Sequence, residues 1–245
     1  MVLSPHRHII PVLNSFYMSY SNLIQPEMKK IGAVSCWSTG AFKEGLFKLA
    51  SQNMSPVYIS ADLVLKDVTY RNLIISAMEN LAADLEFDVV AGGELRGVSF
   101  ADFLAQRINK PSVAVRKKPK SYGARTGEMK EYWIEGMIPE EFEGKKALLT
   151  EDLITDGGSK IVFINGIRNS GGKVQDCIVA VDRQQGSRER LEKEGVKLYS
   201  VTDLDTILIV GKEMGFLREE DFNGIQDYRV DPEKWNRDRG YEWHE

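Results

Sequence analysis

The 245-residue sequence predicts an α/β fold: a central parallel sheet flanked by helices, with a small N-terminal hood subdomain. Three observations predict it. From Phe87 onward, apolar runs alternate with segments of helical spacing, as in strands joined by crossover helices. The runs are short and unbroken, which suits strands buried on both faces. The segments richest in glycine and charge follow those runs, at the strand ends where open α/β sheets hold ligands.

Taken in order, residues 1–40 carry no periodicity beyond a helix over 11–24, and are expected to form an arm packed on the body or on a partner. Phe42, Phe47 and Leu49 with Val57, Tyr58 and Ile59 suggest short strands or a hairpin outside the main sheet. Leu65–Leu85 reads as an amphipathic helix through Leu73, Ile74, Met78, Leu81 and Leu85. Strands are expected at Phe87–Ala91, Ser112–Val115, Ala147–Thr150, Val174–Val181 and Lys197–Val201. Helices are expected at Gly97–Ile108, Ser159–Ser170, Ser187–Glu194 and Thr202–Met214. A polar stretch over Arg116–Glu131 interrupts the series, and 225–245 reads as a polar surface tail anchored by Trp235 and Trp243. The expected organisation is an arm and hood over 1–63, a core over 64–215 and an extension over 216–245, all one structural domain.

Composition narrows the function. A net charge of -4 excludes a broadly basic nucleic-acid surface. The two cysteines, Cys36 and Cys177, are far apart, so free thiols in a reducing compartment are expected. No Cys/His spacing suits a metal, and His6, His8 and His244 all lie near the ends, leaving the body no histidine for catalysis. No membrane span or signal peptide is evident, and the chain reads as cytoplasmic.

The densest chemistry lies at Ala147–Lys160. An apolar run ends in Glu151 and Asp152, turns through Thr155, Asp156, Gly157, Gly158 and Ser159, and enters a helix. Backbone N–H groups and the helix dipole there can hold an anion. The plain alternative is a strand-turn-helix connection with two solvated acids; a Walker A loop is excluded, because Ser159 follows Gly158. Asp156 beside an anion is unfavourable unless its side chain turns away or caps the helix. Gly92-Gly93-Glu94-Leu95-Arg96-Gly97 lacks the spacing of a dinucleotide loop, but its glycines permit close approach to an anion; a tight turn with a solvated Arg is the other reading. Arg116, Lys117, Lys118 and Lys120 form a positive patch on an acidic chain, suited to a polyanion.

Ala147–Ser159 resembles the diphosphate-sugar binding motif of type I phosphoribosyltransferases, with Thr150 and Asp156 as mild departures. Arg116, Lys117 and Lys120 resemble the catalytic loop of the orotate branch of that family, where Tyr122 stands in place of His. Asp182-Arg183-Gln184 resembles its Asp-Arg-Gln segment. Phe47–Tyr58 resembles a segment beside the pyrimidine pocket, with Ala50 in place of a Lys and Gln52 in place of a Gly. The likeness runs from about Phe47 to Met214 and implies transfer of phosphoribosyl from 5-phosphoribosyl 1-diphosphate to orotate. By that resemblance Lys120, Glu151 and Asp152 are catalytic. Arg96, Arg116, Lys117, Lys120 and Tyr122 would hold the diphosphate. Glu151 and Asp152 would hold the ribose, Thr155, Asp156, Gly157, Gly158 and Ser159 would cradle the 5-phosphate, and Leu153 and Ile154 belong to the same sugar-diphosphate site. Thr155, Arg183, Tyr58 and Ile59 would bind orotate. Mg²⁺ is implied at Glu151 and Asp152, mostly through substrate and water, as is a homodimer whose lid, read at Ala124–Glu131, reaches into the neighbour's site. The rival readings are transfer to another nucleobase and a non-catalytic regulator that binds the sugar diphosphate.

Overall fold

The computed structural model describes residues 25–49, 51–123 and 129–244. The helix expected over 11–24 lies outside them, as does Ala50. The chain forms two compact units, one of residues 75–201 and the other of the flanking segments.

The first unit is built on a six-stranded sheet. Its strands are β3 (Val89–Gly93), β4 (Ser112–Gly123), β5 (Met129–Glu135), β6 (Lys146–Ile154), β7 (Lys173–Asp182) and β8 (Lys197–Asp203, which crosses into the second unit), in the order β5-β4-β3-β6-β7-β8. The pairs β3–β4, β3–β6 and β6–β7 are parallel, and β5 runs antiparallel at the edge. Val89, Ala91, Val113, Val115, Ala147, Leu149, Cys177 and Val179 share one core cluster. Their strand neighbours Val90, Leu148 and Ile178 are also buried. Both faces are therefore covered, which explains the unbroken apolar runs. Helix α6 (Gly158–Asn169) packs Phe163, Ile164 and Ile167 into that cluster. Helix α4 (Arg96–Ile108) packs against β3 and β6 and buries Phe100 and Leu104. Gly92 pairs with Thr150, and Ile154 with Asp182. This register brings the ends of neighbouring strands level, and with them the loops that the sequence marks.

Several expected boundaries move. The strand read as Ala147–Thr150 continues to Ile154, so Glu151 and Asp152 lie within β6 rather than after it. The stretch read as polar from Arg116 is strand as far as Gly123, paired with β5 as a ribbon. Beyond Val115 this ribbon leaves β3 behind, so Pro119 interrupts no parallel ladder.

In the second unit, β1 (Phe42–Lys48) and β2 (Met54–Ile59) form the antiparallel pair expected outside the main sheet. The helix read over 65–85 is two helices, α2 (Ala61–Lys66) and α3 (Val68–Ala82); α3 runs on into the first unit. Asp67 between them is extended, and its carboxylate accepts the N–H groups of Thr69 and Tyr70, which starts a new helix. The expected tail is folded as α9 (Glu219–Val230) and α10 (Pro232–Asp238), with Trp235 buried. Asn236 explains this: its amide accepts from the Met54 N–H and donates to the Met54 carbonyl, as a paired strand does. Helices α1 (Gln25–Ser38) and α8 (Leu204–Glu213) pack together, joined by the Trp37 indole on the Ile207 carbonyl at 2.7 Å. Helix α5 (Pro139–Phe142) and helix α7 (Ser187–Lys193) complete the first unit.

Candidate active site

Strand β6 supplies the floor of the site. Glu151 lies in alternation with Ala147 and Leu149, on the face that α6 covers. On α6 the inward stripe is Lys160, Phe163, Ile164 and Ile167, all buried. Lys160 therefore meets Glu151 inside the protein, Nζ donating to Oε2 at 2.6 Å. The other carboxylate oxygen lies against the β3–α4 turn. A Cβ on Gly93 or Gly97 would fall 2.1 Å from it, so both positions require glycine. Burial pushes the Glu151 carboxyl up to about 7; Lys160 and the Gly93 N–H oppose this and Asp152 adds to it.

A cavity of about 380 Å³ opens above this floor. Glu94, Leu95 and Arg96 of the β3–α4 turn and Lys117 of β4 line one part of it. Glu151 and Asp152 of β6, with Ser159, Lys160 and Phe163 of α6, line the rest. Arg96, Lys117, Asp152, Glu151 and Ser159, separated by up to 63 positions in sequence, thus share one cavity. The Lys117 N–H donates to Glu94 Oε2 at 3.0 Å, tying the basic ribbon to the glycine turn.

The turn after β6 takes its shape from Gly157, whose φ of 89° is left-handed. Asp156 meets the condition set by its charge. Its Oδ1 accepts the Gly158 N–H at 3.2 Å and its Oδ2 pairs with Arg190 at 2.5 Å. Thr155 is half-buried, and Leu153 likewise. Ile154 is a core residue whose carbonyl accepts the Arg183 N–H at 2.9 Å, so the ends of β6 and β7 are joined. Arg183 itself is buried. Asp182 fixes that loop by accepting from the Gln184 N–H at 2.8 Å and the Ser187 hydroxyl at 3.2 Å.

Other expected residues lie elsewhere. Arg116 and Lys120 both pair with Glu135 across the β4–β5 ribbon, Arg116 at 3.0 Å. The hydrogen bond from Lys120, with smaller help from Arg116, holds the Glu135 carboxyl below the usual carboxylate range. Tyr122 sits opposite Lys130 in that ribbon. Tyr58 and Ile59 are on β2 of the second unit, Tyr58 against Phe47 at 5.6 Å and Ile59 buried. Sequence reasoning missed Lys160, Arg190, Glu135 and Glu94. Lys160 did carry a signal: it is a lysine on the apolar stripe of a helix, which demands a buried partner.

An acid-bearing strand, a glycine turn at a helix N-terminus and two facing cations define an α/β protein shaped to hold a phosphorylated, anionic ligand. Comparison with known proteins makes the class specific. The family profile described as "Phosphoribosyl transferase domain" matches residues 69–210, and the chain belongs to that family. It is 34% identical over 203 residues to an orotate phosphoribosyltransferase of Rhizobium meliloti (strain 1021), covering 79% of this chain and 82% of the relative. It is 30% identical over 186 residues to one from Sulfolobus acidocaldarius, covering 76% and 89%. The crystal structure of orotate phosphoribosyltransferase from Aeropyrum pernix superposes with a TM-score of 0.62 at 30% identity, covering 75% of this chain and 99% of that one.

Proposed function

We propose that the chain is an orotate phosphoribosyltransferase of pyrimidine biosynthesis. It transfers phosphoribosyl from 5-phosphoribosyl 1-diphosphate to orotate and releases pyrophosphate. The observation that carries the reading is the one cavity lined by Arg96, Lys117, Glu151, Asp152 and Ser159. Arg96 and Lys117 line the cavity, and in this reading they hold the leaving diphosphate, whose charge grows as the sugar bond breaks. The carboxylates at Glu151 and Asp152 favour the positive charge that develops on the ribose. The turn of Thr155–Ser159 takes the 5-phosphate on its N–H groups and hydroxyls. Arg116 and Lys120 leave Glu135 to reach the diphosphate as the ribbon closes, with Lys120 the residue whose loss costs most turnover. Arg183 pairs with the orotate carboxylate.

Among the described residues no three His, Cys, Asp or Glu side chains are grouped to hold a metal ion. One or two carboxylates beside substrate oxygens are the set that magnesium prefers. Glu151 and Asp152, both lining the cavity, are the residues that would hold it with the substrate, and the ion would neutralise the departing diphosphate. No described helix is long and apolar enough to cross a membrane, and both cysteines are free and buried, which suits the cytoplasm. The proposed assembly is a homodimer whose ribbon reaches the neighbouring site.

The test is pyrophosphate release with and without orotate, repeated over a panel of nucleobases. Orotate-dependent release supports the reading. Release with another base only, or tight binding of the sugar diphosphate with no release, replaces it with one of the two rivals.

A further inference from the structure

We infer that Lys160 is a positioning residue of the sugar-diphosphate site, fixing the Glu151 carboxylate at the cavity wall, where with Asp152 it meets the ribose. The inference rests on the function proposed above. Lys160 and Glu151 are both buried and 2.6 Å apart, and both border the cavity. The second oxygen of Glu151 fills the room left by Gly93 and Gly97, which bracket Glu94 and Arg96. One ion pair thus joins β6, α6 and the turn that faces the diphosphate. A buried pair adds little net stability over apolar side chains, so its effect falls on the geometry and charge of the cavity. Without Lys160, the Glu151 carboxyl loses its fixed place at the cavity wall beside the ribose. Without Glu151, the ammonium draws Asp152 off the ribose.

The experiment compares Lys160→Met, Glu151→Gln and the double variant above neutral pH, with Michaelis constants for both substrates and calorimetric binding of inorganic pyrophosphate. Each single change is expected to raise the constant for the sugar diphosphate by about tenfold and that for orotate by less than about twofold. The double variant is expected to be no worse than either single one, because the two side chains act as a unit. Effects that multiply in the double variant overturn the inference. So do equal changes for both substrates, or a Lys160→Met effect confined to thermal stability. If Lys160→Met does not fold, the charge-balanced double variant carries the comparison: equality with Glu151→Gln supports the pair, and a further loss overturns it. A wild-type chain that neither binds the sugar diphosphate nor releases pyrophosphate defeats the proposed function as well; an active wild type matched by Lys160→Met defeats the pair alone.

Discussion

On the proposed function, Arg183 is the side chain that sets the choice of acceptor. It stands at the end of β7, held by its backbone bond to Ile154 and by the buried Asp182 next to it. A bidentate pairing with a carboxylate is specific to orotate among the common bases. Arg183→Ala is therefore expected to raise the Michaelis constant for orotate by about a hundredfold, the loss of a charge-assisted pair, with little change for the sugar diphosphate. Parallel changes in the two constants would remove the assignment. Glu151 gives a second prediction at this scale. Its carboxyl in the folded protein titrates near 7, above the ordinary range it has when unfolded. Between those values the folded state binds the extra proton, so folding stability falls as pH rises through that window and levels off above it. Glu151→Gln abolishes that contribution. As pH rises across the window, the thermal midpoint of the wild type should fall relative to that of Glu151→Gln; parallel profiles or a relative rise would contradict the burial argument.

The ribbon and the hairpin behave as elements. Glu135 holds Arg116 and Lys120 on the β4–β5 ribbon at a cost that a diphosphate can offset, since it offers more negative charge to the same cations. Lys120→Ala is expected to cut turnover by about two to three orders of magnitude, as for loss of a charge-stabilising donor, while the thermal midpoint stays put because the residue is half-exposed. Near-normal turnover would separate the ribbon from catalysis. In the β1–β2 hairpin, Gln52 adopts φ 72°, a left-handed conformation that side chains avoid. It stands where the resembling segment carries Gly. Gln52→Gly should stabilise the protein by about 0.5–1 kcal/mol, the relief of left-handed strain less the added freedom of the unfolded chain. Denaturant midpoints measure it, and a loss of stability would show that the Gln52 side chain matters more than its backbone.

For the whole molecule, the site is a gathering of segments that are far apart in sequence, so ligand and fold are linked. Sugar diphosphate with magnesium at a hundred times its dissociation constant should add about 2.7 kcal/mol to stability, and a chelator should remove most of that gain. A thermal shift insensitive to chelation would place the metal outside the site. Much of this architecture was legible in the sequence, and the reason is physical. Unbroken apolar runs can only be satisfied by burial on both faces, and glycines beside acids and cations mark places where backbone must approach charge. Those local rules determined the parallel sheet, the order of its elements, and the segments around Arg96, Lys117, Glu151 and Ser159. They did not determine partners. That Lys160 is spent on Glu151, that Arg190 answers Asp156, that Glu135 restrains the ribbon cations and that Asn236 draws the C-terminal segment into a folded helix were decided by tertiary structure alone. A charge or a polar amide can find its partner only through the packing of strands and helices that brings residues 9, 34 or 182 positions apart within a few ångströms.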